Sequence, residues 1–215
     1  MAGITFSKRL ILGVFSRGFT QKAISLKMTP HDYPTVKGSE YWRRKIRTIF
    51  KGMDATRDGY LTKEDYELSG HRLASYMNLD ENKAKEVLKL RVDGWEAIIK
   101  DPKNSEVYRM SEDGYISDLL AVINTSFRDA LVSLASREFD FYDLDGNGFI
   151  SSKEHKALFY SLGIPTDYSA DAFKALDTDG DGFISREEYI QGVADFVFSE
   201  DENSPYTHFF GPLIE

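Results

Sequence analysis

The segment DTDGDGFISREE, residues 177–188, sets Asp177, Asp179, Asp181, Glu187 and Glu188 into twelve positions. Carboxylates this close repel one another unless a cation neutralises them, although a solvated acidic face is the commoner fate of a charge run. Spacing decides between the two. Asp177, Asp179 and Asp181 at loop positions 1, 3 and 5, the Phe183 carbonyl at 7, Ser185 at 9 and Glu188 at 12 reproduce the oxygen ligands of a helix–loop–helix calcium site. Gly182 at position 6 permits the positive-φ turn that brings these oxygens together, and Glu188 offers two oxygens. Ser185 is placed to act through a water and to cap the outgoing helix, with Glu188 closing a capping box.

The same order recurs in DLDGNGFISSKE, residues 143–154, as Asp143, Asp145, Asn147, the Phe149 carbonyl, Ser151 and Glu154. The two loops begin 34 residues apart, which leaves room for an outgoing helix, a linker and an incoming helix, so they read as a paired EF-hand unit. A third segment, DATRDGYLTKED at 54–65, keeps Asp54, Asp58, the Tyr60 carbonyl and Thr62, but has Thr56 at position 3 and Asp65 at position 12. Fewer charges and a shorter final acid weaken Ca²⁺ binding and favour six-coordinate Mg²⁺; an occupied but weaker site is expected, with a vestigial loop as the alternative. EF-hands pair, so a fourth loop is expected. Aligning Met110 with Leu61, Ile150 and Ile184 places it at KNSEVYRMSEDG, 103–114, with Lys103 and Gly114 where the first and last carboxylates belong. Without them the segment is expected to hold no metal and to act structurally, with Met110 opposite Leu61 and Ile150 opposite Ile184 in short antiparallel strands.

Loops of this kind need a helix on each side. Apolar periodicity predicts helices near 40–53, 62–77, 80–100, 112–124, 126–142, 152–162, 168–176 and 186–198. The segment 127–142 sets Phe127, Leu131, Leu134, Ala135, Phe139 and Tyr142 on one face and so delivers Asp143 from a packed helix. The segment 80–100, with Val87, Leu88, Val92, Trp95 and Ile99, is expected to be a central hydrophobic helix between two pairs. The predicted fold class is all-α: two EF-hand pairs in a compact globule, with short antiparallel strand pairs between paired loops. The expected division is a basic extension at 1–38, an N-terminal pair at 39–125, and a C-terminal pair with a tail at 126–215.

Composition narrows the function. No cysteine is present, which removes a disulfide framework and a thiol nucleophile. The net charge is −8, but residues 1–38 hold six Lys/Arg and one Asp, leaving 21 basic and 34 acidic groups in the remainder, a balance of −13. Such a body repels nucleic acid and attracts cations. The sequence has no apolar run long enough to cross a bilayer. Four scattered histidines, no Gly-rich phosphate loop and no nucleophile beside a base argue against an enzyme. His155 follows Glu154 where Tyr66 and Tyr189 follow the other final ligands; it is expected to pack at the hinge of the outgoing helix, with a pH-sensitive site as the alternative. Residues 1–38 are basic and acid-poor, like a mitochondrial transit peptide, a docked or disordered extension being an equal alternative, and Pro30 and Pro34 are expected to make a linker.

Residues 41–215 resemble an invertebrate sarcoplasmic calcium-binding protein: a first loop with Asp65 at position 12, a silent second loop, two well-matched later loops, and a Phe-Phe-Gly-Pro-Leu-Ile tail at 209–214. The resemblance implies a compact, monomeric four-EF-hand protein whose loops exchange Ca²⁺ and Mg²⁺. It implies a soluble buffer of excitable or muscle cells that requires no protein partner and is cytoplasmic, or mitochondrial if 1–38 is a transit peptide. Two other readings stay open. A Ca²⁺ sensor would open a Met-rich groove, and five Met against 15 Phe and 12 Tyr favour a closed core. A small-ligand carrier is the second, because coelenterazine-binding proteins and calcium-activated photoproteins resemble the same architecture; Trp42, Trp95, His71, His208 and several Tyr would then line a cavity, an ordinary aromatic core being the alternative.

Overall fold

The computed structural model describes residues 24–99 and 102–214. In chain order these form α1 (Glu40–Met53), β1 (Tyr60–Leu61), α2 (Lys63–Met77), α3 (Glu81–Ile98), β2 (Met110–Ser111), α4 (Glu112–Val122), α5 (Phe127–Tyr142), β3 (Phe149–Ile150), α6 (Ser152–Ser161), α7 (Ser169–Leu176), β4 (Ile184–Ser185) and α8 (Arg186–Phe198). Each helix lies within two residues of its expected bounds. β1 pairs antiparallel with β2, Leu61 opposite Met110, and β3 with β4, Ile150 opposite Ile184. That register fixes 103–114 as the partner of the first loop.

The three incoming helices end alike. Asp54, Asp143 and Asp177 follow α1, α5 and α7, and their N–H groups donate to the carbonyls of Phe50, Phe139 and Phe173. Phe50 and Phe139 are fully buried, so the last turn that presents each carboxylate is anchored in the core. Outgoing helices α6 and α8 are capped by Ser151 and Ser185, which share capping boxes with Glu154 and Glu188, the second as expected.

The larger hydrophobic cluster draws on both pairs, joining Trp42 and Ile46 of α1 to Phe139 of α5, Leu158 of α6, and Ile190 and Phe196 of α8. The smaller one packs Leu61 and Met110 with Phe50, Tyr66, Trp95 and Ile99, so the degenerate loop contributes a core strand. The C-terminal tail closes the large cluster. Phe209 lies against α8 so closely that a Cβ on Gly192 would stand 2.8 Å from its ring and 2.4 Å from Leu176.

Two expectations are corrected. The helix α3 is peripheral: Val87 and Trp95 are buried, Leu88 and Val92 are half-buried, and Leu90 is 50% exposed. Its apolar stripe is too narrow for a central element, and the large cluster draws most of its buried side chains from α5, α6, α8 and the tail. The segment around Pro30 and Pro34 is docked along the body. Tyr33 and Val36 are buried, Arg128 donates to the carbonyls of Pro30, Tyr33 and Pro34, Asn124 brackets Val36, and the Glu200 carboxylate accepts the N–H groups of Lys37 and Ser39. A run of backbone groups that no local helix satisfies has found side-chain partners instead. Residues 1–23 of the expected extension lie outside the described residues.

Candidate metal centres

In the third loop, one oxygen each from Asp143, Asp145 and Glu154 lie within 4.8 Å of one another. The fourth loop brings Asp177, Asp179 and Glu188 together in the same way. Two oxygens bound to one Ca²⁺ at about 2.3–2.6 Å stand at most about 5 Å apart, so both trios fit a shared ion. Among the described residues, Asp54, Asp58 and Asp65 form no third trio at that distance.

Backbone amides shape each loop before any cation enters. Gly148 and Gly182 have φ of 88° and 87°, and their N–H groups donate to Asp143 Oδ2 and Asp177 Oδ2. The Asp177 Oδ1 atom is buried and has no hydrogen-bond partner, an orphan acceptor that a cation would satisfy. Glu188 Oε1 accepts from the N–H and hydroxyl of Thr178, and its Oε2 from those of Ser185. Glu154 Oε1 accepts the N–H of Leu144, and its Oε2 the N–H and hydroxyl of Ser151. Asn147 Oδ1 and Asp181 Oδ1 each accept the N–H two residues on, from Phe149 and Phe183, and Asp181 stands outside the tight trio.

The electrostatics follow from this geometry. Burial raises the Asp143 carboxyl above its usual range, the amides of Gly148 and Asn147 offset part of the rise, and nearby Glu154 and Asp145 add to it. Burial also opposes the charge on Glu188, yet hydrogen bonds from Ser185 and Thr178 hold its carboxyl below the usual range.

The first loop has the same frame and a different lining. Gly59 has φ of 85° and donates to Asp54 Oδ2. Asp65, fully buried, spends one oxygen on the N–H and hydroxyl of Thr56 and the other on those of Thr62. Thr56, expected as a ligand, therefore turns its hydroxyl to Asp65. Asp58 is paired with Arg109 of the degenerate loop at 2.6 Å. Loop spacing carried no sign of this contact; the only signal available was a cation at position 7 of the partner loop. The Tyr60 side chain is exposed, as are Phe149 and Phe183 at the same position, consistent with a backbone rather than side-chain role there.

His155 packs as expected: it is buried, its Nδ1 lies 2.8 Å from Ser169 Oγ, and its ring meets Phe159 and Phe173. Burial pushes its pKa down to about 3. The four residues named for a ligand cavity do not converge. Trp42 donates to the Val197 carbonyl in one cluster and Trp95 to the Ser105 carbonyl in the other, while His71 and His208 are exposed.

Residues 133–202 match the description of an EF-hand domain pair. Luciferin-binding protein of Renilla reniformis is 31% identical over 198 residues, covering 84% of this chain and 100% of that protein. Sarcoplasmic calcium-binding protein of Perinereis vancaurica tetradentata is 28% identical over 177 residues, covering 82% and 100%. Among solved structures, coelenterazine-binding protein from Renilla muelleri in the calcium-loaded apo form aligns with a TM-score of 0.72 at 27% identity, over 81% of this chain and 99% of that one. Fold and loops together define a calcium-binding EF-hand protein. The chain belongs to the family that holds luciferin-binding and sarcoplasmic calcium-binding proteins.

Proposed function

We propose that this protein buffers Ca²⁺ in competition with Mg²⁺, through two strong sites at 143–154 and 177–188 and a weaker one at 54–65. The observation that carries the reading is the pair of carboxylate trios, already assembled on a closed aromatic core. Asp143, Asp145, Asn147 and Glu154 would hold one ion, and Asp177, Asp179, Asp181 and Glu188 another, with the carbonyls of Phe149 and Phe183 completing each shell. A bound cation neutralises repelling carboxylates and adds its binding free energy to the folded state alone, so Ca²⁺ raises the melting temperature. Buffering is mass action and needs no catalytic group or protein partner; the protein acts as a cytoplasmic monomer. Among the described residues, no helix is long and apolar enough to cross a membrane.

The test is a Ca²⁺ titration in millimolar Mg²⁺ with a dye that reports exposed apolar surface. A buffer gives a small dye signal at every Ca²⁺ level. A strong Ca²⁺-dependent signal means that a groove opens, and a sensor replaces the buffer.

A second reading, carriage of a coelenterazine-type ligand, is favoured by the likeness to luciferin-binding protein and by one interior feature. Tyr115, Tyr142, Tyr189 and Arg91 act on the Glu138 carboxyl; the Tyr189 hydroxyl faces that carboxyl and the Tyr142 hydroxyl faces Ser161 and Arg91, but neither buried hydroxyl closes a well-formed hydrogen bond. Burial raises the Glu138 carboxyl, with Arg91 opposing the rise. Polar groups in this state suit a polar aromatic guest. Adding coelenterazine and following tyrosine absorbance of the wild type and Tyr189→Phe tests the reading; no spectral change in either removes it.

A further inference from the structure

A groove of about 310 Å³ runs between the start of the first loop, the α6–α7 linker and the C-terminal tail. Leu162, Ile164, Pro165, Phe210 and Leu213 give it apolar walls, while Lys51, Arg57 and Arg72 bring three cations to its rim. It adjoins a second groove of about 260 Å³ at Tyr168 and Pro212.

The cations are out of keeping with their surroundings. Residues 39–215 carry a balance of −13, yet neither arginine has a carboxylate partner among the described residues. Arg72 donates to the Ala55 carbonyl, Lys51 is shared with Glu112, and the Arg57 guanidinium makes no hydrogen bond or ion pair among the described residues. Asp54 also borders the groove, but its carboxylate is turned to its own loop, accepting the N–H groups of Asp58 and Gly59.

The backbone supplies a separate observation. At loop position 4 the later loops have Gly146 and Gly180, with φ of 71° and 75°, whereas the first loop has Arg57 at φ of 62°. A left-handed conformation costs a long side chain free energy that glycine does not lose. The chain thus holds a strained arginine, unpaired, at the mouth of an apolar groove.

We propose that this groove binds a small amphiphile bearing one carboxylate, its apolar tail along Leu162, Ile164 and Phe210 and its charge between Arg57 and Arg72. Guanidinium forks suit a planar carboxylate, and the volume stands at the low end of small-molecule pockets, about 300–1,000 Å³. Because Ala55 and Arg57 belong to the first metal loop, the ligand sits against that loop and against none of the carboxylates of the later two.

Decanoate serves as the probe, with decanol as its uncharged counterpart, added to the Ca²⁺-loaded full chain freed of excess metal and followed by calorimetry. Decanoate binds more tightly than decanol, and Arg57→Gly and Arg72→Gln each weaken decanoate by about tenfold, the worth of one charge-assisted contact. Arg57→Gly restores the residue that the sister loops use at this position, so its Ca²⁺ binding at the later loops stays unchanged and reports an intact fold. Equal binding of decanoate and decanol, or undiminished decanoate affinity in Arg57→Gly, overturns the proposal. So does binding confined to vesicles of anionic phospholipid, which would assign the cations to a membrane surface.

Discussion

The first and fourth loops share a backbone and differ in what their oxygens touch. Asp54 and Asp177 have nearly the same conformation, φ −72°, ψ 76° and φ −70°, ψ 80°; Gly59 and Gly182 make the same turn; and each loop contributes one strand to a two-stranded pair. Yet Glu188 reaches across its loop to position 2, where Asp65, one methylene shorter, contacts Thr56 at position 3. In the fourth loop an oxygen of Asp177 is left unpartnered, whereas in the first Arg109 already neutralises Asp58. The EF-hand frame is a matter of backbone turns and core anchors, while cation strength is a matter of side-chain length and of the charges next door.

The contrast breaks first at position 12. Glu188→Gln removes a charged bidentate ligand and lowers Ca²⁺ affinity at the fourth loop by roughly 100-fold, about 3 kcal/mol, with the first loop unaffected in a calorimetric titration. A smaller effect comes from Lys45 of α1, which ties the helix of the first loop to the far end of α8 by donating to the Ser199 carbonyl at 2.6 Å. Burial lowers its pKa to about 8 from an ordinary 10.5, against the pull of Asp195 and Glu200. Between those values the unfolded chain keeps a proton that the folded chain has shed, so the stability contribution rises with pH across that window and the penalty is full below it. Urea unfolding between pH 8 and 10.5 should show a rise on the order of 2 kcal/mol that Lys45→Met flattens.

Lengthening the acid sharpens the contrast from the other side. Asp65→Glu supplies the reach that the first loop lacks and raises its Ca²⁺ affinity by about tenfold relative to Mg²⁺, read by competition titration. Smallest is the release of Asp58. Arg109→Gln removes a half-exposed ion pair and strengthens the first loop by about three-fold, an effect that fades in high salt as a surface pair must.

The parts legible in the sequence are those with local rules. Loop spacing picked out the two carboxylate trios of the later loops, apolar periodicity located eight helices, and aligning Met110 with Leu61 predicted the strand register. Long-range side-chain contacts had no such rule. The grip of Arg128, Asn124 and Glu200 on residues 30–39 spans up to 163 residues of sequence, and nothing periodic marks Pro30 and Pro34 as docked. Nor does periodicity show that α3 lies at the edge, because a stripe of Val87 and Trp95 reads the same whether one neighbour or several cover it. The tail followed from a resemblance, but its seat required knowing that Gly192 has no room for a Cβ.

The position-6 glycines give a site-by-site readout, since Gly59, Gly148 and Gly182 each donate an amide to the first aspartate of their loop. Following these three amide resonances by NMR as Ca²⁺ is added in millimolar Mg²⁺ measures each loop separately. The account predicts that Gly148 and Gly182 saturate first and Gly59 only at higher Ca²⁺; saturation of Gly59 together with or ahead of the other two would contradict it.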